Sequence, residues 1–345
     1  MNLYEKLKNN STYIIAEMSA NHAGSFERAV EILHAAKASG ADCIKLQTYT
    51  ADTLTIDCDN EYFNIGGGTW DGENLYKLYQ KAYTPWEWQA DLKKEAEKIG
   101  LDFLSTPFDK TAVDFLEEIG IEFYKIASFE LVDIPLIEYV ASKGKPIIMS
   151  TGMGSLEEIT EAVEAIKRMG NDQIVLLRCA SAYPAISASM NLNTMVDMSK
   201  QFDVPVGLSD HSMGSVGAVA AVAMGASVIE KHFCLSRAIE NPDSSFSMEP
   251  AEFKEMVDNI RTVEKAKGCI HYGPTREEEG SLVFRRSIFA VKDIKKGEKF
   301  TEENIRVIRP GYGLKPKYYK EILGKEALQD VEYGNPLSFE ITGEL

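Results

Sequence analysis

Val204-Pro-Val-Gly-Leu-Ser-Asp-His211, Val216-Gly-Ala-Val-Ala-Ala-Val-Ala-Met224 and Val228-Ile-Glu-Lys-His-Phe-Cys234 follow one another along the chain. The first and third are apolar with little alternation, as strands buried on both faces are, and the stretch between them has helical spacing. In both strands the residues able to do chemistry gather at the carboxyl end: Ser209-Asp210-His211 and Glu230-Lys231-His232. Working outward, the same pattern recurs at Tyr13 to Ser19, Cys43 to Tyr49, Phe103 to Asp109, Phe123 to Phe129, Ile147 to Met153 and Ile174 to Ala180. Helical spacing falls between most of these runs, over Glu27 to Ser39, Trp86 to Ile99, Thr111 to Ile119 and Leu156 to Met169. Strand then helix, eight times in about 250 residues, predicts an α/β fold of the (β/α)8 TIM-barrel type. A doubly wound open sheet is the competing architecture, and the lack of a G-x-G-x-x-G opening a helix counts against it.

In such a barrel the catalytic groups come from the carboxyl ends of several strands. Read in order, those ends carry Glu17, Asn21 and His22; Lys45 and Gln47; Ser105, Thr106 and Asp109; Lys125, Ser128 and Glu130; Ser150 and Thr151; Arg178, Ser181 and Tyr183; Ser209 and His211; Glu230, Lys231 and His232. Residues two apart on a strand share a face, which pairs Glu17 with Ser19, Lys45 with Gln47, Ser209 with His211, and Glu230 with His232. Lys125 and Ser128 are three apart, so the fourth strand must end or bend between them if both face one site. Lys231 is off the parity of its neighbours and reads as an outward ion-pair partner.

The chain of 345 residues exceeds one barrel, leaving room for a small further domain. Residues 1–268 form the expected barrel, 269–284 a Gly- and charge-rich linker, and 285–345 a compact β-rich domain. In that domain Ser287 to Val291, Arg306 to Ile308 and Leu337 to Ile341 are strand candidates between turn signals. Residues 51–84, too long for an ordinary βα loop, carry Tyr62, Phe63, three glycines, Trp70, Tyr76 and Tyr79. They read either as a lid over the barrel mouth or as a surface excursion on its side. A net charge of −16 argues against nucleic acid or an anionic membrane as partner. The first eight residues lack a basic-then-apolar signal, and Gly214 to Ile229 is too short and too broken to span a bilayer. Five cysteines without a C-x-x-C pair read as reduced thiols in a cytoplasmic protein, and Cys179 reads as either a buried thiol or a nucleophile.

His211 and His232 end neighbouring strands, and only five histidines occur. Two converging imidazoles would suit a loosely held Mn2+, Co2+ or Mg2+ better than structural zinc, while a hydrogen-bonded pair without metal is the plainer alternative. Lys45, Lys125 and Lys231, with Thr106, Ser128, Ser150, Ser181 and Ser209 as hydroxyl donors, would hold phosphate and carboxylate on one small molecule, unless Lys231 is the outward ion-pair partner its parity suggests. A lysine imine is another use of the same amines. Glu17 would move protons, or simply anchor a lysine.

Glu17-Met-Ser-Ala-Asn21-His22-Ala-Gly24, Lys45-Leu-Gln47, Ser105-Thr106-Pro-Phe-Asp109, Ser150-Thr-Gly-Met153, Leu-Ser209-Asp210-His211 and Val-Ile-Glu230-Lys231-His232-Phe closely resemble the sialic acid synthase family. The resemblance runs from about residue 12 to the end and includes an antifreeze-like (SAF) domain around Arg306-Val-Ile-Arg309-Pro-Gly311. It implies a metal-dependent condensation of phosphoenolpyruvate with the open-chain aldehyde of an N-acetylated amino sugar, giving a nine-carbon 2-keto acid and phosphate. It further implies the cation, Mn2+ or else Mg2+ or Co2+, on His211 and His232. Lys45, Thr106, Lys125, Ser128, Ser150, Ser181 and Ser209 would hold phosphoenolpyruvate, with Ser181 replacing an Asn that family members can carry. Glu17 and Glu230 would handle protons and water. Gln47, Glu130, Tyr183, Asp243 and Arg309 would contact the sugar, with Arg309 serving the other subunit of a domain-swapped homodimer. Gly-Gly-Thr69-Trp70-Asp71-Gly72, Tyr83-Thr84-Pro85-Trp86-Glu87-Trp88 and Ser244-Ser-Phe-Ser-Met248 resemble the branch that takes 2,4-diacetamido-2,4,6-trideoxy-L-altrose. The branches that take the precursors of N-acetylneuraminic and legionaminic acid are the near alternatives. A glycan- or ice-binding module on an inactive barrel is the alternative of another class. Within the insertion, Tyr62, Phe63 and Trp70 are candidates to line the pocket for the sugar's C6 methyl.

Overall fold

The computed structural model describes residues 3–7 and 11–344; residues 1, 2 and 8–10 of the amino-terminal stretch and Leu345 of the second domain lie outside the described residues. The chain divides into two compact units after Gly268.

The first unit holds β1 (Tyr13–Glu17), β2 (Cys43–Thr48), β3 (Asp102–Pro107), β4 (Tyr124–Ile126), β5 (Ile147–Ser150), β6 (Ile174–Cys179), β7 (Val206–Asp210) and β8 (Val228–His232). They form one parallel sheet in the order β3-β2-β1-β8-β7-β6-β5-β4. The two ends of that order, β3 and β4, pack side by side and close the barrel. Helices follow the strands as the spacing requires, including Phe26–Ala38, Trp86–Lys98, Lys110–Glu118, Leu156–Arg168 and Pro250–Lys267. Side chains mark several starts: Ser25, Asp109 and Ser155 each accept from backbone N–H groups of the first turn. Two barrel helices lie where the sequence singled out none. Ile134–Ala141 is too uniformly apolar to show an amphipathic period, and Leu192–Phe202 starts at the left-handed Asn191 without a side-chain cap.

Two apolar layers result from the strand pleat. Outward residues such as Ile14, Ile44, Leu46, Ile147 and Ile229 pack under the helices. Inward residues Tyr13, Ile15, Cys43, Leu104, Phe123, Ile148, Val175, Leu177 and Val228 fill the barrel, joined by Leu3 and Leu7 of the helix Leu3–Leu7. Gly207 is required at its inward position, since a Cβ there would come within 2.2 Å of Val228 O and 2.8 Å of Leu177 Cδ2.

In the second unit β9 (Ser287–Ala290) pairs antiparallel with β10 (Ile305–Ile308). A separate core gathers Ile288, Ile294, Phe300, Ile305, Ile322, Val331, Leu337 and Ile341. The strand expected over Leu337 to Ile341 is not formed. Leu337 bonds to Ile288 and Leu314, after which Ser338 O accepts from Ile341 and Thr342 and turns Phe339–Thr342 into a short helix. Both apolar ends, Leu337 and Ile341, reach the core by that turn, so their alternation is compatible with either conformation. Within the stretch 269–284, Glu279–Phe284 forms a 3-10 helix.

Candidate active site

The inward faces that pack the barrel continue, two residues later, into polar groups: Ile15 to Glu17, Cys43 to Lys45, Leu104 to Thr106, Phe123 to Lys125, Ile148 to Ser150, and Val228 to Glu230. All six polar residues are buried. Lys45 Nζ lies 2.7 Å from Glu17 Oε2 and 3.6 Å from Glu230 Oε1, and it donates to Thr106 Oγ1 at 3.5 Å. Lys125 Nζ lies 3.4 Å from Glu230 Oε1 and donates to Ser150 Oγ at 2.6 Å. Ser209 Oγ donates to Glu230 Oε1 at 3.0 Å, and Gln47 Nε2 to Glu17 Oε1 at 3.0 Å. Burial alone would raise Glu230, but Lys125 and Lys45 outweigh it and hold the carboxyl down at about 2. Glu17 is raised by burial, with Lys45 opposing. Burial lowers Lys125 despite Glu230 beside it. Two buried ammonium groups, two carboxylates and three hydroxyls thus form a dense polar floor.

Lys231, adjacent to this floor in sequence, faces the other way. Its Nζ lies 2.8 Å from Asp210 Oδ2 and donates to Ser212 O at 2.6 Å, which makes it structural, as its parity indicated. On either side of that pair, the rings of His211 and His232 converge with centroids 5.4 Å apart. Tyr183 lies over His211 at 4.2 Å. His211 Nδ1 is 3.1 Å from Ala180 O; donating there fixes the tautomer and leaves the Nε2 lone pair free. Burial pushes His232 well below the ordinary imidazole range, and its Nδ1 has no hydrogen-bond partner among the described residues. Among those residues no three His, Cys, Asp or Glu side chains cluster as a metal site. The donor set therefore fits a divalent cation held by two imidazoles and completed by substrate or water oxygens, not a closed four-ligand site.

The loops after β4, β5 and β6 meet beside the floor. β4 ends at Ile126 and the chain turns into the 3-10 helix Ser128–Val132, which lets Lys125 and Ser128 serve one site. Ser128 Oγ accepts from Gly152 N at 3.1 Å, and a Cβ on Gly152 would stand 2.1 Å from Ser181 Oγ and 2.7 Å from Ser128 Oγ. Cys179, inward above Leu177, lies 3.7 Å from His211 Nδ1. Burial would raise its thiol, but the hydrogen bond with His211 outweighs it and holds the group at about 7.

Above the floor is a cavity of ≈ 380 Å3. Asp243 lines it, accepting from Ser19 Oγ at 2.5 Å and Ala20 N at 3.1 Å, while Asn21 Nδ2 and Ser247 Oγ link the same loop. Glu130 lines it with Oε2 unpartnered among the described residues, and burial raises that carboxyl to about 7. The rest of the wall is apolar. Residues 51–84 contribute Leu54, Ile65, Trp70, Leu75, Leu78, Tyr79 and Ala82, facing Tyr49, Phe108 and Phe129. Trp70 Nε1 donates to Pro242 O at 3.0 Å, and Thr69 Oγ1 donates to Tyr183 O.

Of the residues expected at one site, Glu17, Lys45, Gln47, Thr106, Lys125, Ser128, Glu130, Ser150, Ser181, Tyr183, Ser209, His211, Glu230, His232 and Asp243 stand at this mouth. Arg309 belongs to the second unit, where it is exposed. Tyr62 and Phe63 do not line the cavity: the 3-10 turn Glu61–Phe63, capped by Asn60, leaves Tyr62 81 % exposed. Tyr49, Phe108 and Leu78 do line it, although the sequence had not put them forward.

Comparison with known proteins shows the family. Residues 32–272 match the NeuB family and residues 285–340 the SAF domain. The chain is 47% identical to a pseudaminic acid synthase of Campylobacter jejuni, with 94% of this chain and 95% of that protein covered. It is 46% identical to a pseudaminic acid synthase of Helicobacter pylori, covering 94% and 96%. Among solved structures, an N-acetylneuraminic acid (sialic acid) synthetase of Leptospira borgpetersenii superposes with a TM-score of 0.71 at 31% identity, over 79% of this chain and 91% of the other. A buried Lys-Glu floor beneath two histidines, in a barrel followed by a SAF domain, thus accompanies near-full-length similarity, and the chain belongs to the NeuB family of sialic acid synthases.

Proposed function

We propose that the chain condenses phosphoenolpyruvate with 2,4-diacetamido-2,4,6-trideoxy-L-altrose, the reaction of a pseudaminic acid synthase, releasing phosphate. The observation that carries this reading is the floor: Lys45 and Lys125 stand together with Ser150 and Ser209 directly below His211 and His232. Two ammonium groups among hydroxyls suit a small molecule carrying both phosphate and carboxylate. Thr106 positions Lys45, and Ser128 and Ser181 border the same anion site beside Gly152.

C3 of phosphoenolpyruvate forms the new bond to the aldehyde carbon, water adds at C2, and phosphate leaves by C–O cleavage. Glu17 and Glu230, both on Lys45, are placed to take and return the protons of these steps. Burial keeps bulk water from the intermediate cationic carbon. Family members are in general dependent on a divalent metal, and here His211 and His232 would hold it, Mn2+ being the first candidate. When bound, such an ion supplies Lewis-acid polarisation of the aldehyde oxygen. Gln47, Glu130, Tyr183 and Asp243 would orient the sugar.

The apolar rim formed by Phe129, Val132, Met153, Ile186, Met213 and Val216, all exposed in the segments that follow β4 to β7, supports a homodimer. In it the second unit of a partner copy would cover the mouth and bring its Arg309. Free thiols at all five cysteines support a reducing cytoplasm. No helix among the described residues is long and apolar enough to cross a membrane.

Phosphate release from phosphoenolpyruvate tests the reading, with Mn2+ or chelator, and with either the 6-deoxy diacetamido altrose or N-acetylmannosamine. Metal-dependent release with the altrose, lost in His211→Ala and His232→Ala at dimer mass, is expected. Undiminished turnover in chelator, or preference for N-acetylmannosamine, would sink it.

A further inference from the structure

Leu75, Leu78, Tyr79 and Ala82 recur at i, i+3, i+4 and i+7 and so share one face of the helix Leu75–Ala82. Such a face ordinarily packs on a protein's core. None of these four belongs to the hydrophobic core of the barrel; all four line the cavity above the floor, with Leu54 and Ile65 beside them. Lys77, Gln80 and Lys81 hold the opposite face in solvent. The helix is fixed from its polar side, where Asn74 caps it and also donates to Cys58 O at 2.9 Å and Tyr76 donates to Asp52 at 3.0 Å, and at one point of its apolar face, where Tyr79 meets Tyr49 edge to face at 5.7 Å. An apolar helical face held over polar chemistry, with Leu75, Leu78 and Ala82 turned to the cavity, is placed to meet a ligand.

Resting on the reaction proposed above, the ligand's own chemistry says which part meets it. Bond formation fixes C1 of the open-chain sugar at the floor. The acetamido groups at C2 and C4 and the hydroxyls at C3 and C5 need polar partners, which Gln47, Glu130 and Asp243 offer. C6, at the far end of the chain from C1, is the one carbon of the sugar chain itself that is a bare methyl; the two acetyl methyls sit next to amides that must be paired. We propose that the apolar face of the helix Leu75–Ala82, centred on Leu78, seats this methyl and is the determinant that selects 6-deoxy aldehydes. A 6-hydroxyl would be left without a partner against Leu75, Leu78 and Ala82.

The test compares kcat/KM for 2,4-diacetamido-2,4,6-trideoxy-L-altrose with that for the same sugar carrying a 6-hydroxyl, in the full-length enzyme with Mn2+. The native chain should favour the 6-deoxy sugar by about 10- to 100-fold, the range an apolar pocket achieves against an added hydroxyl. Leu78→Asn should narrow that ratio to within about threefold, through KM of the sugar, with KM for phosphoenolpyruvate unchanged. Ala82→Ser adds a hydroxyl to the same face without removing a packed side chain, and should narrow the ratio in the same direction. A native enzyme indifferent to the 6-hydroxyl, or an unmoved ratio in both variants, would overturn the inference while leaving the reaction standing. Turnover of N-acetylmannosamine with neither diacetamido sugar used would instead refute the reaction, and the inference with it.

Discussion

The floor and the roof of one cavity are built by opposite means. Below, eight strands each contribute a side chain at a position fixed by pleat and register, and Lys45, Lys125, Glu17 and Glu230 neutralise one another in the buried interior. Above, residues 51–84 reach over the mouth and contribute mainly carbon: Leu54, Ile65, Trp70, Leu75, Leu78, Tyr79 and Ala82. Where charge must be held without water, the chain uses its most rigid scaffold. Where a substrate is to be admitted and told apart by shape, it uses an irregular segment tethered through a few contacts. In the proposed reaction the floor serves chemistry shared by a whole family, and the roof the choice among its sugars.

The sharpest way to break this division is Lys125→Met. It removes one cation from a fully buried set and leaves Glu230 with Lys45 alone as its charge partner. We expect kcat/KM to fall roughly 10³-fold, as for loss of one preorganised electrostatic donor. Stability should fall by about 3 kcal/mol, because a buried carboxylate loses compensation. A variant within tenfold of the native rate would show that the floor is scaffolding.

Glu130 lies where the two regions meet, and its behaviour is set by pH. Burial raises its carboxyl from an ordinary 4.5 to about 7. Between those values the folded chain binds a proton that the unfolded chain has released, so stability declines as pH rises through the window. The accumulated cost above pH 7 is about 3 kcal/mol. Glu130→Gln removes it. The variant should gain stability over the native chain progressively from pH 5 to pH 8 in denaturant titrations; a gain independent of pH would mean that packing, not ionisation, differs.

The unequal legibility of floor and roof has a physical reason. Period-two alternation carries an inward residue at the middle of a strand to an inward residue at its end, so Ile15 announces Glu17 and Val228 announces Glu230. The same rule turned Lys231 outward, onto Asp210. Cys179, two after Leu177, is inward by the same alternation, but nothing local signals that His211, 32 positions on, would hold its thiol at about 7. The roof has no such rule. In the insertion, composition flagged aromatics but could not tell Trp70, which reaches Tyr183 and Pro242, from Tyr62, which a capped turn directs to solvent. The face of Leu75–Ala82 does have a period. Periodicity marks a face as covered without saying whether core or ligand covers it. In the second unit, the alternation of Leu337 and Ile341 suited a strand and a turn equally, and backbone bonding at Ser338 decided between them.

Trp70→Ala tests whether the roof acts as cover alone. The indole joins three loops: it donates to Pro242 O at 3.0 Å beside Asp243, lies 5.4 Å from the Tyr183 ring, and stands 6.3 Å from Phe246. Aromatic contacts of this kind are worth about 0.5–1.5 kcal/mol each beyond area, so its loss should raise the sugar KM about tenfold. The floor does not touch it, so KM for phosphoenolpyruvate should stay within twofold. Trp70→Phe keeps a ring against Tyr183 but not the bond to Pro242, and should fall between the two, separating stacking from tethering. If Trp70→Ala instead lowers kcat as far as Lys125→Met does, the roof is organising His211 through Tyr183, and the line between the regions has to be redrawn through that ring, 4.2 Å from the imidazole.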